Sequence, residues 1–224
     1  GWTVPNLVTY MESHDEERLM YKTITYGTSA GGYSTQDFKT ALKRMQLDAL
    51  FLLSIPGPKM IWQFGELGYD ISIDEGGRTS EKPIKWDYLS DRDRFKLYMF
   101  YRIMIALKKT QPVFETTNYS YSLSGTAKRL RLTGTDNKIN ILGNFGLYAA
   151  AINPAFPETG KWYEFFTDDS LTVTNTSDNL TFQPGEYRLY STKKLPSIEI
   201  LTAVDDLPES AQDDFVSVYP NPSK

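Results

Sequence analysis

Hydrophobic and polar positions follow two different rhythms along this chain, and the rhythm changes near residue 112. Between Phe38 and Leu53 the residues Phe38, Ala41, Leu42, Met45, Ala49, Leu52 and Leu53 recur at helical spacing, with Lys39, Lys43, Arg44 and Asp48 between them. That pattern predicts an amphipathic helix. Ser34 or Thr35 is placed to cap its start, and Ile55-Pro56-Gly57-Pro58 ends it. A second helix is predicted to open at Asp91 or Asp93, with Phe95, Tyr98, Met99, Ile103, Met104, Ile105 and Leu107 on one broad face. Lys108 and Lys109 suit its C-terminal dipole, and Pro112 stops it. Leu7 to Met11 and Met60 to Phe64 are apolar runs too short for helices and read as buried strands. Strand, long helix, strand in that order is a βαβ unit, which requires parallel pairing.

Beyond Pro112 the apolar runs shorten to Tyr119–Leu123, Arg129–Leu132, Ile139–Leu142, Tyr148–Ile152, Trp162–Phe166, Leu171–Thr174 and Tyr187–Tyr190. Turns such as Gly134-Thr135-Asp136-Asn137 and Gln183-Pro184-Gly185-Glu186 separate them. Short strands at this spacing predict an antiparallel β-sandwich over residues 113–195. Residues 196–215 are polar and acidic and read as a linker. Thr23–Tyr33 and the long stretch Tyr69–Ser90 read as loops.

Composition narrows the function classes. With 224 residues, 40% of them hydrophobic, the chain can bury a sizeable core. A net charge of −4 leaves no electrostatic footprint for nucleic acid. No apolar run is long enough for a membrane span, and no signal peptide opens the chain. There is no cysteine and a single histidine, which argues against a zinc site. Asp70, Asp74 and Glu75 offer oxygen ligands, but their spacing matches no calcium loop and the solvated-loop reading is preferred. No metal and no cofactor is expected.

Candidate chemistry lies where the first strand ends. His14, the only histidine, and Asp15 stand at that end, and Asp15-Glu16-Glu17 supplies acids for the first turn of a following helix. Catalytic residues of parallel α/β folds occupy such strand ends. The plain alternative is that Asp15 caps the helix starting at Glu16 and His14 is a satisfied loop histidine.

Tyr10-Met11-Glu12-Ser13-His14-Asp15 resembles the strand-7 motif of the α-amylase superfamily, glycoside hydrolase family 13. Pro58-Lys59-Met60-Ile61-Trp62-Gln63-Phe64-Gly65-Glu66 is similar to its strand-8 motif. Lys82–Trp86 and Leu97–Arg102 resemble the stretch before and through its helix 8, and Gln183–Tyr190 resembles the close of its C-terminal β domain. The resemblance covers about residues 5 to 191 and implies an α/β plus all-β protein. Residues 1–112 would be the last two strand-helix units of a (β/α)8 TIM barrel, and residues 113–195 the C-terminal β-sandwich.

The implied activity is retaining glycoside hydrolysis of α-1,4-glucans such as starch or glycogen. Asp15 would be the third catalytic acid, and His14 would bind the sugar in the same subsite. The resemblance puts nucleophile and acid/base on strands 4 and 5, in the N-terminal part of the barrel, so this chain alone is expected to be inactive. An incomplete barrel would also leave an exposed strand edge and helix faces lacking part of their wall.

Two departures matter. Ser13 stands where the family usually has Asn, which is closer to 1,4-α-glucan branching members that transfer glucan instead of hydrolysing it. Gly65 directly precedes Glu66, which leaves Gln63 and Glu66 as supporting candidates. Trp62 and Trp86 could stack on sugar, but core packing is the preferred reading. The aromatics Tyr148, Trp162, Tyr163, Phe165 and Phe166 keep a non-catalytic carbohydrate-binding module open as a further alternative. Val216–Pro222 resembles the opening strand of a type IX secretion sorting domain, here spanning 216–224 and truncated, and implies a secreted or cell-surface protein.

Overall fold

The computed structural model of the chain describes residues 4–196. The expected sorting segment at 216–224, and all of the expected linker except residue 196, lie outside the described residues. Helix α1 (Leu19–Tyr26) leads into a small hairpin, β1 (Ser29–Ala30) with β2 (Tyr33–Ser34). Helices α2 (Phe38–Ser54) and α3 (Arg92–Thr110) follow. Strands β3 (Tyr119–Ser122), β4 (Ala127–Thr133), β5 (Lys138–Asn144), β6 (Ala150–Ile152), β7 (Gly160–Glu164), β8 (Ser170–Val173), β9 (Leu180–Phe182) and β10 (Tyr187–Ser191) complete the described fold.

Both long helices form where the 3.6-residue pattern places them. Asp91 opens α3 as expected, its carboxylate accepting the Asp93 and Arg94 N–H groups. The cap of α2 is Asp37, which accepts the Thr40 N–H at 2.9 Å, and not Ser34 or Thr35. Thr35 is used elsewhere: its hydroxyl accepts the Thr28 N–H and donates to the Thr28 carbonyl, closing the hairpin within the expected loop.

Both short apolar runs differ from their prediction, since Met60–Phe64 forms no strand and of its residues only Phe64 is buried. Leu7–Met11 is not a buried strand; it makes one parallel bridge, Thr9 to Lys59. The Thr9 N–H donates to the Pro58 carbonyl at 3.1 Å and the Met60 N–H donates to the Thr9 carbonyl at 3.0 Å. Leu7, Val8, Tyr10 and Ile61 are exposed, because among the described residues each segment has one strand-like neighbour and its other side is uncovered. The parallel sense of the pairing is as expected. Helix α1 also begins at Leu19 instead of Glu16, so Asp15, Glu16 and Glu17 form a turn before the helix and not its first turn.

The β half is antiparallel throughout. Its main sheet runs β3-β4-β5-β10-β7-β8, and β6 pairs with β9 in a second sheet. Strand β9 is three residues long and carries only Leu180 and Phe182 as apolar positions, too short to register as a run. Alternation on β5 sorts its side chains. Ile139 and Ile141 join the helix-side cluster, while Leu142 joins Ile152, Trp162, Val173, Phe182 and Tyr190 between the sheets. Gly143 lets α2 lie close: a Cβ there would sit 2.6 Å from Leu47 Cδ1 and 2.9 Å from Phe51 Cε2.

Leu42, Leu50 and Leu53 of α2, Leu97, Phe100 and Met104 of α3, and Leu130, Leu132 and Leu189 of the sheet belong to one buried cluster. The helix faces expected to lack part of a wall are therefore largely covered, by each other and by the sheet. Leu7, Val8, Tyr10 and Ile61 on the two strand-like segments are exposed instead, as are Trp86, Tyr121 and Tyr148 elsewhere.

Candidate active site

The ends of those two segments, the 12–17 turn and the loop after Tyr69 enclose an open cleft of about 450 Å³. Ser13, His14, Asp15 and Arg18 line one side; Trp62, Gln63 and Tyr69 form the floor; Ile71, Ile73, Arg78, Thr79, Ser80 and Lys82 form the outer wall. His14 Nε2 lies 3.3 Å from Asp15 Oδ2, and the side chains are 72% and 76% exposed. The His14 ring tilts toward Trp62, with centroids 5.9 Å apart. Asp15 is the one carboxylate lining the cleft among the described residues. Its N–H donates to Ser13 Oγ at 3.2 Å, and the Ser13 hydroxyl donates to Glu16. Asp15 does not cap α1; its carboxylate faces solvent in the cleft.

Beneath this exposed pair is a buried one. Glu12 and Arg18 are 7% and 5% exposed, and Arg18 Nη2 donates to Glu12 Oε1 at 2.8 Å. The same nitrogen donates to the Gln63 carbonyl at 2.5 Å, and the guanidinium lies 4.4 Å from the centre of the Tyr69 ring. The other Glu12 oxygen accepts the Leu19 N–H at 2.8 Å, supplying the acceptor that the start of α1 needs. One clasp thus joins the end of the first segment, the start of α1 and the end of the second segment. Gly65 makes room for it, since a Cβ there would meet Glu12 Oε1 at 2.4 Å. That contact gives a local reason for a glycine directly before Glu66.

Glu66 sits half-buried in a 3-10 turn, Gly65–Leu67. Burial raises its carboxyl above the usual range, opposed by its own N–H and by Arg18 and reinforced by Glu12. Phe64 before it adopts a left-handed backbone, φ 62°, and stacks on Tyr69 with centroids 5.9 Å apart. A buried aromatic in that conformation is a strained position held by its surroundings. Trp62 is half-buried in the cleft floor. Trp86 departs from its core reading: it is exposed, with its ring edge-to-face on Phe64 at 4.9 Å.

The outer wall is tied back to the 12–17 turn. Glu17 accepts hydrogen bonds from Ser72 Oγ at 2.7 Å, Ile73 N–H at 2.8 Å and Arg18 N–H at 2.9 Å. Burial opposes its ionisation, but these bonds and Lys22 together hold its carboxyl below the usual range. Arg78 donates to the Asp15 backbone carbonyl and lies 3.7 Å from Asp74. Asp70 is not a solvated loop acid; it pairs with the buried Arg94 at 2.8 Å and accepts the Tyr88 hydroxyl at 2.5 Å. Among the described residues no three His, Asp or Glu side chains converge as a metal site. No described helix is long and apolar enough to cross a membrane.

His14 and Asp15 are therefore brought together on the cleft, with Trp62 and Gln63 beside them. None of Glu12, Arg18, Glu17 and Arg78 was read as a site residue from the sequence, where Glu17 figured only as a first-turn acid. Only the charge pattern of the 12–18 segment hinted at the first three. In the β half, Trp162 is fully buried between the sheets, and Phe165 and Phe166 pack against the helix-side core. Tyr148 is exposed, and a Cβ added at Gly31 would lie 3.2 Å from its ring.

No protein-family model matches the sequence, and no curated protein matches it. Solved structures do. A variant of AmyP in complex with maltotriose superposes with a TM-score of 0.64 at 12% identity, covering 86% of this chain and 42% of that one. The α-amylase of Geobacillus thermoleovorans, complexed with acarbose, gives 0.58 at 14% identity over 85% of this chain and 40% of the amylase. A cyclomaltodextrinase gives 0.63 at 16% identity over 84% and 30%. The likeness is one of fold. This chain has the mixed α/β architecture with antiparallel sheets found in α-amylases and related enzymes, and it spans well under half the length of each.

Proposed function

We propose that this chain is the C-terminal part of a retaining glycoside hydrolase of the α-amylase type acting on α-1,4-glucans. The observation that carries this reading is the His14–Asp15 pair, 3.3 Å apart on an open cleft beside Trp62. An ionised carboxylate there can accept hydrogen bonds from two sugar hydroxyls and favour the distorted ring of an oxocarbenium-like transition state. His14 adds a donor to the same sugar, and the Trp62 ring offers an apolar face to its carbon side. The parallel bridge between Thr9 and Lys59, with α1 and α2 between, supports the last two units of a (β/α)8 barrel. The exposed Leu7, Val8, Tyr10 and Ile61 suit the barrel wall such units would meet.

Retaining hydrolysis needs two carboxyl groups about 5 Å apart. The cleft supplies Asp15 alone among the described residues, so residues 1–224 by themselves do not turn over glucan. In the whole enzyme, Asp15→Asn lowers turnover on soluble starch on the order of a thousandfold or more with the fold unchanged. Turnover near the wild-type value refutes the assignment. Ser13 favours a second outcome at the same site, transfer of the glucan to another chain; product analysis for new branch points separates the two. The resemblance of residues 216–222 to a sorting signal supports export, and finding the intact protein only in the cytosol refutes it.

A further inference from the structure

Asp15 and His14 touch each other, and both side chains are mostly in solvent. A group that must hold a sugar ring in a strained shape needs a fixed position, and buried side-chain contacts do not supply one here. The support comes through the backbone, from the loop on the far side of the cleft. Arg78 reaches across and donates from Nη2 to the Asp15 carbonyl, a contact 63 residues away in sequence. Two residues on, Glu17 accepts Ser72 Oγ and the Ile73 N–H from the start of the same loop. The segment bearing the candidate acid is thus bracketed by contacts to one loop, at residue 15 and at residue 17.

The loop is shaped to deliver Arg78. Gly76 and Gly77 turn it with φ of +67° and +107°, conformations that favour glycine. Lys82 Nζ donates to the Glu75 carbonyl at 2.9 Å and the Gly77 carbonyl at 2.7 Å, and Ser80 Oγ donates to the Gly76 carbonyl. Asp74, 3.7 Å from Nη1, steadies the guanidinium from the other side. Arg78 itself is 57% exposed, so it contributes little to the fold by burial.

We propose that Arg78 is a positioning residue for Asp15: through the Asp15 carbonyl it holds the carboxylate in the cleft geometry that the transition state requires. This rests on the reading of Asp15 given above. A carboxylate displaced by about an ångström still meets the ground-state sugar through solvent-adapted contacts but loses those specific to the transition state.

The test compares wild type, Asp15→Asn, Arg78→Ala and Arg78→Lys in the whole enzyme on soluble starch. Arg78→Ala is expected to lower kcat about 10- to 100-fold while KM stays within about threefold, as loss of orientation predicts. Arg78→Lys, which keeps one charged donor, is expected to regain most of that loss, with the melting temperature of either variant within about 2 °C of wild type. In residues 1–224, His14 is the single histidine, so its ring signals in NMR report the site directly. Arg78→Ala is expected to move those signals and to weaken their response to added maltotriose. Unchanged kcat for Arg78→Ala, in an enzyme that Asp15→Asn disables, overturns this inference and leaves the Asp15 reading standing. A loss of activity that tracks a fallen melting temperature, or one that Arg78→Lys does not relieve, also overturns it. Wild-type turnover for Asp15→Asn overturns both.

Discussion

Arg18→Met tests whether the buried clasp under the cleft holds this region together. The substitution keeps an unbranched side chain of similar reach over Tyr69 and removes the guanidinium that meets Glu12 at 2.8 Å and the Gln63 carbonyl at 2.5 Å. Glu12, 7% exposed, is left as a buried carboxylate with the Leu19 N–H as its remaining hydrogen-bond donor. Breaking a buried pair from one side costs about 3–5 kcal/mol, chiefly because the stranded charge stays out of water. For a chain of this size that corresponds to a melting temperature lowered by roughly 6–20 °C. The assay is urea unfolding followed by tryptophan fluorescence, with Trp62 in the cleft floor as one reporter. Glu12→Gln added to Arg18→Met removes the stranded charge while an amide oxygen can still accept the Leu19 N–H. The double variant is therefore expected to be more stable than Arg18→Met by about 1–3 kcal/mol. A loss below about 1 kcal/mol for Arg18→Met, or a double variant less stable than the single one, refutes the clasp.

Two further outcomes follow from the helix–sheet seam. Part of Asp48 reaches solvent, yet burial pushes its carboxyl up to about 7 against the opposing charges of Arg44 and Lys128. Between about pH 4 and pH 7 the folded state therefore holds a proton that the unfolded chain releases, and this contribution to stability declines as pH rises. Asp48→Asn should flatten that decline in pH-dependent melts and stabilise the protein above pH 7 by about 1–2 kcal/mol, half or less of the full-burial figure; an unchanged pH profile refutes it. Gly143→Ala puts a Cβ into Leu47 and Phe51 and should cost about 1–3 kcal/mol in urea unfolding, while a neutral result would mean α2 shifts away freely.

The two long helices and most strands were legible because each carries its own period of apolar residues, as in Ala41, Leu42 and Met45 or in Leu130 and Leu132. The stretch at Leu7–Met11 was not, because its composition describes a strand with neighbours on both sides, and among the described residues it has one. The cap of α2 was placed too early, at Ser34 or Thr35, because Ser, Thr and Asp all serve as caps, and the hairpin claims Thr35 while Asp37 caps the helix. His14 and Asp15 could be found from a local motif. Arg78 could not: it reaches Asp15 only because the chain returns 63 residues later. Gly65 was noticed as a departure, but its reason, room for the Glu12 carboxylate, needed the tertiary contact.

The main sheet has an apolar underside that includes Leu130, Leu132, Ile139, Ile141 and Leu189, and it shares one core with α2 and α3. On that face the strands have no partner of their own to retain if the helices leave, and only the cluster between the sheets, around Trp162 and Phe182, stays covered. Cutting the chain near residue 112 would separate a sheet from half of its core, turning what is interior in the parent into sticky surface on both pieces. Evolutionary transplantation of the β half onto another enzyme would have to carry the two helices with it, or rewrite those five positions.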